Sequence, residues 1–149
     1  SRATAIFNFH DQFLPEVRKV TGIFKNVKPS SGNWKAGSFG LGAVQIAYMV
    51  AKDVTTASIW IHTRSKEANS RGLAVLKRKQ SEIEKLVKGE EMLFREQETS
   101  SVDISINGIG WGAESPEART KLLSVLGALT DVAKLYESEL RKALEESSE

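Results

Sequence analysis

LGAVQIAYMVAKDVTTASIWIHTR, residues 41–64, holds two runs of alternating character. Val44, Ile46, Tyr48 and Val50 alternate with Gln45, Ala47 and Met49, and Ile59 and Ile61 alternate with Trp60, His62 and Arg64. A two-residue period sends successive side chains to opposite faces of a strand. Lys52 to Thr55 can turn the chain, and so short a connection favours an antiparallel hairpin.

On the N-terminal side, Ile6, Phe9, Phe13, Val17 and Val20 recur at three- and four-residue spacing. That is one face of an amphipathic helix, ending near Gly22 in the left-handed position that glycine favours. Lys25 to Gly42, rich in Gly, Ser, Asn and Pro, reads as a loop. It carries Lys25, Lys28 and Lys35 with no acidic residue, and Trp34 sits among them.

On the C-terminal side the helical period returns over about 67–88, through Leu73, Leu76, Gln80, Ile83 and Val87. Arg71, Arg78 and Lys85, seven apart, would form one stripe opposite the apolar face. Two short strands follow, Met92 to Gln97 and Ser101 to Asn107, with Val102, Ile104 and Ile106 inward. Gly108, Gly110 and Gly112 surround Trp111 in what reads as a flexible connection with the indole as an anchor. Ser115-Pro116-Glu117 combines an N-cap, a first-turn proline and an acidic first turn. Leu122, Leu126, Leu129, Ala133, Tyr136, Leu140 and Ala143 then step by four and three, predicting one helix over about 115–146. At 1.5 Å per residue such a helix spans roughly 45 Å, longer than a compact domain of this size needs. Part of it is expected to overhang or to pack on another chain, and Glu145 to Glu149 to fray as an acidic tail.

The expected fold is therefore α+β: helix, hairpin, helix, hairpin, long helix. About four antiparallel strands would be covered by helices on one face and left partly wet on the other. The 149 residues suit a single domain, with an ordinary globular balance of 40% hydrophobic and 27% charged residues. The apolar run Leu41 to Val50 is too short to cross a bilayer, and the N-terminus has no export pattern. The chain has no cysteine, which excludes a disulfide framework, a Cys-ligated zinc site and a thiol nucleophile. A cytoplasmic location is expected. The chain begins at Ser1 rather than Met, which leaves a neighbouring domain in a longer parent chain open.

The net charge of +2 hides an asymmetry. Residues 1–88 hold 15 Lys/Arg against 6 Asp/Glu, and residues 89–149 hold 6 against 13. One face for a polyanion, two complementary faces of a self-assembly, and the accident of a chain that folds back on itself all fit this division.

No catalytic constellation emerges. His10 and His62 lie far apart without flanking motifs, and His62 is expected on the outward face of its strand as a plain surface residue. Gly37, Gly40 and Gly42 resemble a phosphate loop, but they lead into a strand rather than a helix N-terminus. Gly108-Ile109-Gly110 precedes a helix, but its spacing to Gly112 is wrong for a dinucleotide fingerprint. Asp103 and Glu96, with His62 as a third member, are the candidates for an enzyme, without the clustered carboxylates a magnesium nuclease needs. No metal and no cofactor is expected.

Binding signals are stronger. Trp34 with Lys25, Lys28 and Lys35, and Trp60 beside Arg64, combine aromatic faces with cations, as single-stranded nucleic acid requires. Arg71, Arg78 and Lys85 could contact phosphates. The same residues also fit a solvated helix face and tryptophans serving as core or interface.

NSRGLAVLKRKQSEIEKLVKGEEMLFREQETSSVDISI, from Asn69 to Ile106, together with Phe13, Gly22 and PSSGNW from Pro29 to Trp34, resembles a family of uncharacterised bacterial and archaeal domains. Lys79, Ile83 and Glu84 fit that family's helix and Trp34 its loop, while Phe94 stands where a tryptophan is expected. Such domains are often appended to nuclease-like modules of restriction or defence type. The resemblance implies an accessory role near DNA-processing enzymes and carries no catalytic residues. The leading expectation is a non-catalytic module that binds DNA or RNA, or that places a fused or partner nuclease on it. The alternative is a protein-interaction or homodimerisation module built on the long C-terminal helix.

Overall fold

The computed structural model describes residues 1–145. Helix α1 (Arg2–Val20) is capped by the Ser1 hydroxyl, which accepts from the Thr4 amide, and buries Ile6, Phe9, His10, Phe13, Leu14 and Val17. It does not end on a left-handed glycine. Thr21 takes an extended conformation, its hydroxyl accepts from the Ile23 amide, and a short 3₁₀ turn, Gly22–Phe24, redirects the chain.

Strands β1 (Trp34–Ser38), β2 (Val44–Val50), β3 (Val54–Ile61), β4 (Leu93–Glu96) and β5 (Ser100–Asn107) form one antiparallel sheet in the order β1-β2-β3-β5-β4. The hairpin of residues 41–64 is β2 and β3, paired Val44 to Ile61 through Val50 to Thr55. Strand β1 lies inside the stretch expected to be loop, so the sheet has five strands. Its sequence, WKAGS, has no apolar alternation because its one buried position is Gly37. There the backbone of the 3₁₀ turn replaces a side chain: a Cβ on Gly37 would lie 2.5 Å from the Ile23 carbonyl oxygen.

The helical stretch after β3 is two helices, α2 (Lys66–Arg78) and α3 (Gln80–Leu86), separated at Lys79 (φ −102°, ψ 13°). The long C-terminal helix is also divided. Helix α4 (Pro116–Leu135), N-capped by Ser115 as expected, stops at Tyr136 (φ −104°, ψ 17°), and α5 (Glu137–Glu145) follows. At 20 residues α4 is roughly 30 Å long. Rather than overhanging, α5 packs on α2, where the Arg71 Nε donates to the Ala143 carbonyl at 2.8 Å. The expected acidic tail lies almost wholly outside the described residues.

The helices lie on one side of the sheet, where α2 and α4 meet β3 and β5 and α1 packs on α4. The core between them runs from Phe13, Leu14 and Tyr48 through Ile46, Ile59 and Ile104 to Leu122, Leu126 and Leu129. The connection after β5 is held rather than flexible. Amides of Gly108, Trp111 and Gly112 donate to the carbonyls of Asp53, Ala51 and Lys52 in the β2–β3 turn, at 2.9, 3.0 and 2.8 Å. Among the described residues, no helix is long and apolar enough to cross a membrane.

Candidate functional site

The register fixes what stands on the helix-free face. Three cross-strand rows can be read from the pairing: Trp34, Met49, Thr56 and Ser105; then Ala36, Ala47, Ser58, Asp103 and Leu93; then Ser38, Gln45, Trp60, Ser101 and Arg95. Trp34 and Trp60 are therefore two strands apart and in different rows. They meet because the residue between them on β2 is small: Ala47, though on the open face, is only 1% exposed beneath its larger neighbours. The indole centroids are 5.1 Å apart with the rings at 83°, edge to face. Behind them the His62 ring stacks on Trp60 at 3.7 Å and 20°. Burial against the indole holds the His62 pKa below its ordinary value, and among the described residues its Nε2 has no hydrogen-bond partner. Trp34 remains 43% exposed and Met49 49%.

Opposite this aromatic wall is a polar one. Asp103 accepts from the Ser58 hydroxyl at 2.7 Å through Oδ1 and from the Arg95 Nε at 2.6 Å through Oδ2. Its side chain is 12% exposed, that of Arg95 54%. The Thr56 and Ser105 hydroxyls hydrogen-bond at 2.9 Å in the adjoining row. Between the walls runs a groove of about 380 Å³, floored by Ala47, Ser58 and Ser101. An apolar pocket with a few convergent polar groups is the usual form of a ligand site, and this one has an aromatic side and a guanidinium side.

Of the residues singled out in the sequence, the structure brings Trp34 and Trp60 together and separates the cations from them. Lys35, next to Trp34 in sequence, pairs with Tyr48 and so faces the helix layer. Its Nζ donates to the Ser30 hydroxyl at 2.7 Å, and burial lowers its pKa. Lys25 and Lys28 are exposed in the segment after α1, and Arg64 is exposed in the turn before α2. Arg71 is half-buried against α5. Arg78 and Lys85 are exposed on α2 and α3, on either side of the break at Lys79, so the stripe of three is not carried by one helix.

The enzyme candidates do not converge. Asp103 is on the open face, whereas Glu96 pairs with Ser100 and belongs to the opposite side. His62, one residue past the end of β3, is four residues along the chain from Ser58, the partner of Asp103, or about 13 Å. Sequence reasoning missed Met49, Ser58, Arg95 and Ser101. The signal for Ser58 and Ser101 was the polar alternation Thr56, Ser58, Trp60, His62 and Ser101, Asp103, Ser105, Asn107, which marks one face once the register is known. Met49 and Arg95 join that face only through the pairing of β2 and β4.

The fold and the groove define an α+β domain whose antiparallel sheet is helix-covered on one side and open, with a built groove, on the other. The chain belongs to the family described as a domain of unknown function (DUF4268), which it matches over residues 7–126. The match takes in the whole sheet and every residue of the groove. No curated protein and no solved structure matches the chain.

Proposed function

We propose that the domain is a non-catalytic accessory module that binds single-stranded nucleic acid on the open face of its sheet, so placing a fused or partner nuclease on it. The observation that carries this reading is the Trp34–Trp60–His62 wall beside Arg95 on a helix-free face. Every base has a π-face, so an exposed indole stacks bases of any sequence, and the open face of a sheet offers successive positions for a splayed strand. A duplex hides those faces. The nuclease context rests on the family resemblance of the Asn69–Ile106 segment.

Anisotropy titration with labelled single-stranded and duplex DNA, followed also by tryptophan quenching, tests this. Single strands bind and duplexes bind much more weakly. Stacking is worth about 1–3 kcal/mol per base, so Trp34→Ala should weaken binding by about fivefold to more than a hundredfold. Trp60→Ala should cost at least as much, since Trp60 also braces Trp34. Equal affinity for duplex and single strand, or full binding by Trp34→Ala, rejects the reading. The alternative of self-association through the C-terminal helix has less support, because Leu140 and Ala143 of α5 are buried within this chain.

A further inference from the structure

Arg95 is held in an unusual way for a surface arginine. It stands on an edge strand, yet its Nε is fixed by Asp103, and Asp103 is in turn fixed by Ser58 on the central strand β3. Asp103 uses one oxygen for each of these partners. The guanidinium plane is therefore oriented, and among the described residues Nη1 and Nη2 have no hydrogen-bond partner. Trp60 and Arg95 each pair with Ser101, so they belong to one row with only a serine between them. Two strand spacings put their backbones roughly 10 Å apart. That leaves a slot over Ser101, with an indole on one side and a forked pair of donors on the other.

Resting on the single-strand reading above, we infer that this slot selects guanine, and that Arg95 is the specificity-determining residue. A base stacked on the tryptophan wall turns one edge toward β4. The Nη1/Nη2 fork matches two adjacent acceptors, and guanine offers O6 and N7 on one edge of a large purine surface. Adenine sets an amino donor beside its N7, and thymine gives a single carbonyl there. Cytosine has adjacent acceptors at O2 and N3 but a smaller ring to stack. Asp103 acts through Arg95 as a positioning residue. It fixes the Nε and leaves the fork as the part of the guanidinium that meets the ligand.

The test uses the intact chain and labelled twelve-residue oligothymidylates, unmodified or with the two central positions changed to guanine, adenine or cytosine. The guanine oligonucleotide binds about tenfold more tightly than the other three, the order expected of one bidentate contact. Arg95→Gln abolishes the preference, so that this variant binds the guanine oligonucleotide no more tightly than it binds oligothymidylate. Arg95→Lys keeps the charge but not the fork and does not restore the preference. Asp103→Asn reduces the preference while leaving Arg95 in place. Equal wild-type affinity for all four oligonucleotides, or an equal gain from cytosine, overturns the inference and leaves single-strand binding standing. A uniform loss in Arg95→Gln that Arg95→Lys repairs also overturns it, because a phosphate contact depends on charge alone. Failure to bind any of the four overturns the single-strand reading itself and this inference with it.

Discussion

His10 is one of two histidines in the chain, and it lies wholly buried. Its Nε2 is 2.7 Å from the Gly32 carbonyl, so that nitrogen carries the proton and donates; Nδ1 then accepts from the Tyr48 hydroxyl at 2.8 Å. Burial, and after it the nearby Lys35 ammonium, hold the pKa of His10 below its ordinary 6.5, against the opposing effect of the Gly32 bond. The native ring is thus neutral where the unfolded one begins to take up a proton. Its contribution to stability is complete above pH 6.5 and is lost as pH falls below 6.5 toward the folded pKa. One proton gives a slope of at most about 1.4 kcal/mol per pH unit. His62, also shifted down by burial, adds in the same direction. Urea midpoints between pH 8 and 5 should fall for the wild type and fall less for His10→Gln; identical pH profiles would remove His10 from this account. Gly110 gives a second residue-scale prediction. A Cβ there would lie 2.2 Å from the Ala51 carbonyl oxygen, whereas one on Gly42 would meet nothing within 4 Å. Gly110→Ala should cost about 1–3 kcal/mol, as overpacking does, and Gly42→Ala almost nothing. Equal urea midpoints for the two variants would contradict the close approach of the loop to the β2–β3 turn.

At the scale of elements, periodicity was readable wherever one face of an element is buried by side chains. The α1 stripe from Ile6 to Val17, the alternation of β2 and β3, the inward Val102, Ile104 and Ile106 of β5 and the Ser115 start of α4 all appear in the structure as expected. Val20, expected as the last member of the α1 stripe, is exposed. Strand β1 was not readable, because its buried position is a glycine covered by backbone. Neither break in the helices was readable either, since apolar spacing runs straight through both. Tyr136 and Leu140 keep the four-residue step and are both buried, on α4's end and on α5. What the pattern lacks is the partner: α5 turns to lie on α2, with the Lys79 ammonium 5.4 Å from the Tyr136 ring and 3.6 Å from Glu139. The site was half legible for the same reason. Trp34 and Trp60 announce themselves by type, but His62, expected as a plain surface residue, is stacked on Trp60, and the Arg95–Asp103–Ser58 chain exists only once β5 is placed between β3 and β4. If α5 belongs to this core rather than to an assembly interface, Leu140→Ala should cost about 2–5 kcal/mol, as core truncations do. That loss should be independent of protein concentration in urea unfolding. A loss that shrinks on dilution, or none at all, would return α5 to the role of an interface helix.

At the scale of the whole molecule, the excess of cations in residues 1–88 does not become a basic groove. The sheet divides it. Lys35 is turned to the helix side by its register with Tyr48, Arg71 is bound to α5, and Arg78 and Lys85 belong to the helix layer on the far side of the sheet from the tryptophans. Arg95, the cation that lines the groove, is paired with Asp103. A strand lying on the open face would therefore be held by stacking more than by phosphate neutralisation. For single strands the logarithm of affinity falls with the logarithm of salt at a slope of about −0.7 per phosphate neutralised. With one or two phosphates met, the slope should be about −1, far shallower than that of a protein using the whole basic half. Charge reversal separates the possibilities: Arg78→Glu with Lys85→Glu should leave single-strand affinity within about twofold at about 0.1 M salt, where the Debye length is about 10 Å. A slope near −4, or a large loss in that double variant, would move the binding surface from the tryptophan face to the helix layer and make the charge asymmetry of the chain its cause.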